Sequence, residues 1–215
     1  MSSSASAIAP ATMRTRLPKV IALTAVLLVA AGFVLKYVFH YYLNYNPAGF
    51  DVFWKRRGWL LLHMSSGTVA LLIGPWQFSQ RIRQRHIQLH RLMGRTYLIA
   101  VACGAVGGFY LAITTTFGWA WGTGLVGLAL AWVTTAGMAL YAIKQRQIQV
   151  HQEWMVRSYV VTFSFVTFRV LNDMGPTSRL TPVNDRAITF AWACWAIPLL
   201  AAEVIMQLRR MRRQN

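Results

Sequence analysis

The stretch GWLLLHMSSGTVALLIGPWQF, residues 58–78, decides the fold of this chain. It contains no acidic residue, lysine or arginine, and about 20 helical residues are enough to cross a hydrocarbon layer of about 30 Å. Five further apolar stretches lie at residues 20–40, 97–116, 122–143, 159–174 and 187–208, which makes six in all. The fifth of the six, 159–174, is interrupted by Arg169, Asn172 and Asp173. The sequence therefore predicts an all-α, polytopic transmembrane helical bundle of about six spans.

The composition favours a membrane protein over a soluble one. Of the 215 residues, 56% are hydrophobic and only 13% are charged, whereas about a quarter of the residues in an average soluble domain are charged. The net charge of +17 comes from short clusters of cations between the apolar stretches. A nucleic-acid interface would gather these cations on one face. We therefore expect the lipid bilayer as a partner and no nucleic acid.

The distribution of cations predicts the orientation of the chain. With the N-terminus in the cytoplasm, fifteen Lys and Arg residues fall on the cytoplasmic side and five on the opposite side. Because cytoplasmic loops carry the excess of cations, both termini are expected in the cytoplasm. The expected organisation is a disordered cytoplasmic tail at 1–18, a six-span domain at 19–208 and a basic cytoplasmic tail at 209–215.

Small residues predict where two spans approach closely. Gly104 and Gly108 form a GxxxG step in the third span. Thr123, Gly127 and Ala131 repeat small side chains at the same spacing in the fourth. Such steps let helix backbones approach each other in membranes. We therefore expect the third and fourth spans to pack on one another.

A cation within the fifth span needs an anionic partner. Arg169 lies near the middle of that stretch, where an unpaired guanidinium is unfavourable by at least about 2.5 kcal/mol. Asp173 lies one helical turn away on the same face, and Glu203 lies in the sixth span. We interpret the three as an intramembrane ion pair that ties the last two spans together. A proton or anion path through them is the alternative interpretation.

Two histidines are each followed by a glycine at a distance of four residues. His63 precedes Gly67, and His90 precedes Gly94, so each imidazole would project above a bare patch of helix. A flat macrocycle has room to lie there. Neutral imidazole is also a common axial ligand of haem iron, so this pattern makes haem b the candidate cofactor.

The depths of the histidines limit which of them share an iron. His63 lies about 8 Å inside the outer face, whereas His90 lies at the inner face, so they cannot ligate one metal. His90 with His151 gives a candidate inner site, and an outer site would need His63 with His40, whose depths do not match. All three of His63, His90 and His151 are candidate ligands. The side chains available to haem propionates at the inner site are those of Arg91, Arg95 and Arg157.

Four ordered motifs carry a family resemblance. LLLHMSSGTVALLIGPWQF, RQRHIQLHRLMGRTYLIA, HQEWMVRSYVVTFSFVTFRV and AWACWAIPLLAAE resemble the bacterial family of predicted membrane proteins known as domain of unknown function 2306. The resemblance extends from about Trp59 to Glu203, and it implies a multi-pass protein of the bacterial inner membrane. The positions of the family pattern include His63, Gly74, Pro75, Gln77, Phe78, His90, Arg91, Gly94, Arg95, His151, Trp154, Met155 and Arg157.

Two functions remain open from the sequence. The first is a haem-binding or electron-transfer membrane protein, for which a membrane redox partner or a homo-oligomer is the candidate partner. The second is a noncatalytic component, a transporter subunit or partner scaffold, in which the same histidines are interhelical hydrogen bonders. The sequence contains no Walker loop, GxGxxG, GxSxG or HExxH motif, so the corresponding enzyme classes are excluded.

Overall fold

The computed structural model describes residues 17–173 and 183–214, and every regular element within these ranges is helical. The prediction of an all-α fold is confirmed. A π-helical turn, Val34–Val38, joins the first two helices, and a 3-10 helix, Asp51–Arg56, precedes α4. The α-helices are α1 (Leu17–Phe33), α2 (Phe39–Leu43), α3 (Pro47–Phe50), α4 (Arg57–Gln77), α5 (Gln80–Arg85), α6 (Ile87–Ile113), α7 (Trp119–Lys144), α8 (Ile148–Thr162), α9 (Ser164–Asp173) and α10 (Val183–Gln214).

Most of the predicted spans are confirmed as long apolar helices. The fifth differs, because the predicted span 159–174 falls on α8 and α9, which are separated at Phe163. Its last residue, 174, lies outside the described residues. Within the described ranges, five helical segments are long and apolar enough to cross a membrane: Val20–Leu43, Pro47–Gln77, Ile87–Ile113, Trp119–Lys144 and Arg186–Arg212.

The pair α8–α9 nevertheless runs the full length of the bundle. Near its start, Glu153 accepts a hydrogen bond of 3.0 Å from Nε of Arg210, close to the end of α10. At its end, Asp173 lies 2.9 Å from Nζ of Lys36 in the first span. The chain therefore passes six times between the two ends of the bundle. We call the end at which α4 begins and α6 ends the Trp59 end, and the opposite end the His90 end.

A closed network of hydroxyl groups holds α6, α7 and α8 together. The Tyr97 hydroxyl oxygen lies 2.8 Å from both Ser158 Oγ and Thr162 Oγ1, and Trp132 Nε1 donates to Thr162 Oγ1 at 2.8 Å. Because Thr162 Oγ1 donates its own proton to the Ser158 carbonyl at 2.9 Å, Tyr97 donates to Thr162 and accepts from Ser158. All four side chains are buried, and each donor has a partner, as a membrane interior requires.

The two glycines of the GxxxG step in α6 face different neighbouring helices. A Cβ on Gly104 would lie 2.9 Å from the Trp132 ring of α7, but one on Gly108 would lie 2.8 Å from His63 Nδ1 of α4. In α7, a Cβ on Gly127 would lie 3.0 Å from the Trp195 ring of α10. The predicted packing of the third span on the fourth is confirmed, and Gly104 takes part in it, but Gly108 and Gly127 face other helices. Bulky rings, rather than a second small-residue face, occupy these gaps.

Both predicted tails lie at the margins of the described residues. Residues 1–16 of the predicted N-terminal tail lie outside them. The helix that carries the predicted sixth span continues beyond residue 208, because α10 extends through Gln214. The cations at 209–213 thus extend this helix at the His90 end. The domain boundaries at 18 and 208 stay predictions.

Candidate functional site

A cavity of about 230 Å³ lies inside the bundle, toward the Trp59 end. Its wall is mostly apolar and strongly aromatic, with Phe33 and Tyr37 from the first span and Phe165 from α9. Two residues of the predicted site, His63 and Gly67, line it. Helix α7 contributes Trp121, Leu125, Leu128, Ala129 and Trp132. The sequence did not predict that the first span would form part of this wall.

His63 presents one free ring nitrogen to the cavity. Its Nδ1 lies 2.7 Å from the carbonyl oxygen of Gly104. A carbonyl oxygen can only accept a hydrogen bond, so Nδ1 carries the proton and Nε2 keeps its lone pair in the neutral ring. The ring meets Phe165 nearly edge-on, with centroids 5.0 Å apart. His63 is thus fixed in orientation and can accept a hydrogen bond or bind a metal through Nε2.

Two further polar side chains border the same cavity. Arg169 lines it and makes no hydrogen bond within the described residues, although its guanidinium lies over the Tyr37 ring at 5.5 Å. Thr68 also lines it, and Thr68 Oγ1 is buried without a hydrogen-bond partner in the described part of the chain. The described part of the cavity wall therefore combines apolar side chains with an imidazole acceptor, a guanidinium and a buried hydroxyl group that has no partner.

The carboxylates predicted to pair with Arg169 have other partners. Asp173 forms an ion pair with Lys36 and accepts a hydrogen bond from the Tyr37 hydroxyl. Glu203 accepts two hydrogen bonds from Arg157, at 2.6 and 2.8 Å. Both partners lie on other helices, α8 for Glu203 and the first span for Asp173. Arg169 forms no ion pair within 4 Å among the described residues, but it lies near enough to Asp173 for their charges to interact, and its guanidinium lies over the Tyr37 ring.

The His90 end brings three predicted site residues, His90, Gly94 and His151, together with Gln77, which belongs to the family pattern but was not predicted as a site residue. His151 Nδ1 lies 2.8 Å from the Ala139 carbonyl oxygen, so its Nε2 is free for the same reason as in His63. His90 Nδ1 is buried without a partner in the described residues, and His90 is near enough to His151 for their charges to interact. Gln77 is buried beside Gly94, and its Nε2 also lacks a partner within those residues.

The three predicted arginines differ in their availability. Arg91 and Arg95 are exposed and make no ion pair in the described part of the chain. Arg157 is bound to Glu203, lies 4.0 Å from Glu153 and stacks over Trp154 at 4.6 Å. Two of the three guanidiniums are therefore free to bind an anionic group.

The bare patches above the two predicted glycines are covered by side chains. A Cβ on Gly67 would lie 3.6 Å from the Phe165 ring, and one on Gly94 would lie 3.3 Å from Gln77 Oε1. A macrocycle above either glycine requires Phe165 or Gln77 to turn away. No group of three or more His, Cys, Asp or Glu residues that could hold a metal ion lies among the described residues.

The comparison with protein families agrees with this helical architecture. A family model described as Predicted membrane protein (DUF2306) matches residues 60–206, which is more than half of the chain. The chain belongs to this family. No curated protein and no solved structure matches it. The DUF2306 match includes His63, His90, His151 and Arg169, whereas the first span, which closes one side of the cavity, lies before the matched range.

Proposed function

We propose that this DUF2306 protein is a haem-binding electron-transfer protein of the bacterial inner membrane, with haem b held at the His90 end. The observation that carries the proposal is the tautomer of His151. A histidine that ligates a metal usually donates its other ring N–H to a carbonyl or carboxylate, which fixes the ring and the free nitrogen. His151 has this arrangement, because Ala139 accepts from Nδ1.

The side chains at this end supply the groups that would hold a haem, and Gln77 would have to turn away from Gly94 to make room for it. Gln77 Nε2 and His90 Nδ1 are buried without partners in the described residues, and such groups are usually satisfied in a complete structure. Arg91 and Arg95 are free to bind the propionates, and His90 is the candidate second ligand. When bound, haem supplies a one-electron redox couple. The chain itself orients the His151 ring and neutralises the propionate charge.

The cavity beside His63 does not fit a haem. Its volume is about 230 Å³, whereas an apolar cavity of about 150 Å³ is enough for a single benzene ring. A porphyrin joins four pyrrole rings, and its volume is therefore far larger than that of a cavity only somewhat larger than one benzene ring needs. No second histidine lines the cavity. The proposal therefore assigns haem to the His90 end alone.

The cation distribution supports a cytoplasmic location for the His90 end. Arg81, Arg83 and Arg85 lie on α5 between the second and third spans, and the cations of α10 from 209 onward lie at the same end. Under the positive-inside rule this is the cytoplasmic face. An electron donor or acceptor in the cytoplasm would then meet the haem at this face.

A second candidate function, a noncatalytic membrane component, is favoured by the same hydrogen bonds. The His63 bond joins α4 to α6, and the His151 bond joins α8 to α7. Histidine side chains that bridge helices in this way stabilise membrane bundles without any cofactor. The two candidate functions therefore differ in whether Nε2 of His151 binds a haem iron.

An absorbance spectrum distinguishes the two candidates. Protein purified in detergent from cells supplied with a haem precursor should show a Soret band that shifts on reduction with dithionite. His151→Asn should lose most of the band while keeping the unfolding temperature of haem-free wild-type protein, because the asparagine amide can replace Nδ1 as donor to Ala139 but offers no Nε2. His86→Ala is the control, since His86 is exposed, and it should retain the band.

Two results would contradict the haem proposal. Colourless wild-type protein would leave the noncatalytic function as the conclusion. An unchanged spectrum in both His151→Asn and His90→Ala would remove the assignment of haem to the His90 end.

A further inference from the structure

We propose that the cavity beside His63 binds a membrane-soluble hydroquinone, with one hydroxyl donating to His63 Nε2 and the other oxygen accepting from Arg169. This site lies away from the proposed haem site and does not depend on it. The ligand class follows from the size of the cavity, the chemistry of its wall and the relative placement of its polar groups.

The size of the cavity selects a single substituted ring. About 230 Å³ exceeds what one benzene ring needs, by room for a few substituents. The wall is aromatic on several sides, and Phe165 and Trp132 meet one another nearly edge-on, with centroids 5.3 Å apart. Aromatic side chains favour such offset and edge contacts with a further ring. An aromatic ligand is therefore favoured over a flexible acyl chain.

The polar groups select oxygen substituents on that ring. Neutral His63 offers an acceptor at Nε2, because its Nδ1 is committed to Gly104, so it favours a hydroxyl donor over a carbonyl group. Arg169 offers only donors and has no hydrogen bond within the described residues, so it favours an oxygen acceptor. An ionisable side chain inside a membrane bundle commonly marks a functional site. A ligand with one donor and one acceptor oxygen satisfies both side chains.

The placement of His63 and Arg169 suits oxygens on opposite sides of the ring. The His63 ring lies 5.0 Å from the Phe165 ring, and Arg169 follows Phe165 by four residues on the same face of α9. His63 therefore lies beside Phe165, and Arg169 lies one helical turn further along α9. Because of this separation we propose para-related oxygens, which lie farther apart on a ring than adjacent ones.

Thr68 supplies a third group that the ligand would satisfy. Its hydroxyl is buried without a partner among the described residues, and leaving such a group unpaired is unfavourable. Threonine in a helix populates two χ1 rotamers, so the hydroxyl can turn toward a ligand in the cavity that Thr68 already lines. Thr68 thus adds a hydrogen bond that hydrocarbon ligands cannot form.

Calorimetry with two matched probes tests the proposal. Hexylhydroquinone and hexylbenzene, which share chain and ring, are titrated into the purified full-length protein in detergent, with protein-free detergent as the blank. We expect hexylhydroquinone to bind at least about tenfold more tightly, as two additional hydrogen bonds imply. Equal affinity for the two probes, or no binding of either, would overturn the proposal without any variant.

Variants of His63 and Arg169 then test whether these side chains bind the two oxygens of the hydroquinone. His63→Asn keeps a donor for the Gly104 carbonyl but removes Nε2, and Arg169→Gln removes the charge and shortens the side chain. Each should reduce the preference for hexylhydroquinone several-fold. Thr96→Val is the control, since Thr96 bonds only to Leu92 in its own helix, and it should leave the preference unchanged. A preference that persists in both His63→Asn and Arg169→Gln would overturn the site assignment.

The same samples separate this proposal from the haem proposal. His63→Asn is expected to leave the Soret band of the wild-type protein unchanged, because haem is assigned to the opposite end. If His63→Asn lost the Soret band but kept the preference for hexylhydroquinone, the assignment of haem to the His90 end would be contradicted. We expect His63→Asn to lose the preference and keep the band.

Discussion

At the scale of single residues, Gly74 shows how tightly α4 meets its neighbours. A Cβ at this position would fall within the ring of Tyr159 on α8. That ring cannot easily move away, because the Tyr159 hydroxyl donates to the Leu71 carbonyl at 3.1 Å, one turn before Gly74 on the same helix. Gly74 is therefore required for the close approach of the two helices.

Gly74→Ala is expected to destabilise the protein by about 1–3 kcal/mol, which is the usual effect of extra volume in a packed core. Gly137→Ala is the matched control, because a Cβ there would meet nothing within 4 Å. The unfolding temperature of the two variants in the same detergent measures the difference. Equal unfolding temperatures would mean that Tyr159 can shift away from α4.

Individual site residues could be predicted from the sequence, but their partners could not. The sequence indicated His63, His90 and His151, and each has a ring nitrogen without a partner in the described residues. It did not find that Asp173 pairs with Lys36, which is 137 residues away. Such a pair depends on how each helix is rotated about its axis, and an apolar stretch does not specify this rotation.

At the scale of helices, the hydroxyl network explains why α8 enters the bundle although its sequence is polar. Thr162 Oγ1 accepts from Tyr97 of α6 and Trp132 of α7 and donates within α8. One oxygen therefore joins three helices. In an apolar interior, removal of this oxygen leaves two donors without an acceptor.

Thr162→Val is expected to destabilise the bundle by about 1–2 kcal/mol, because the Tyr97 hydroxyl and the Trp132 Nε1–H would lose their acceptor. Thr167→Val is the matched control, since Thr167 Oγ1 donates only to Phe163 of the neighbouring turn. Denaturant titration of each variant in mixed micelles measures the difference. A smaller loss for Thr162→Val than for Thr167→Val would show that the network contributes little.

The sequence predicted the number of passes through the bundle better than the ends of the helices. The third span was predicted at 97–116, but α6 begins at Ile87, because the polar residues before 97 continue the helix at the His90 end. Helix α8 begins at Ile148, eleven residues before the predicted start of the fifth span. Its early charges are paired with charges of α10 at the His90 end, since Glu153 pairs with Arg210 and Arg157 pairs with Glu203. Hydropathy alone cannot find such partners.

At the scale of the whole molecule, the pair α8–α9 determines the side on which the chain ends. The pair is not among the five helical segments that are long and apolar enough to span. It nevertheless reaches from Arg210 at one end of the bundle to Lys36 at the other. If it crosses the bilayer, both termini lie on the same side.

Reporter fusions test this topology. We expect reporters placed after Phe78, after Gln145 and at the C-terminus to be cytoplasmic, and one placed after Phe117 to be on the opposite side, in accordance with the positive-inside rule. Fluorescent protein and alkaline phosphatase provide complementary readouts at each position. A C-terminal reporter on the opposite side from the Gln145 reporter would show that α8–α9 does not cross.

The first span lines the cavity but leaves most of its own surface toward the surrounding membrane, and this has a consequence for how ligands enter the cavity. Only 11% of its apolar window is buried. Its polar contacts to other spans, Lys36 and Tyr37 with Asp173 and Tyr42 with Ser65, all lie near one end. We therefore expect solutes dissolved in the lipid to reach His63 laterally, between the first span and the helices packed against it. Occupancy would then follow a compound's partition coefficient into lipid rather than its concentration in water.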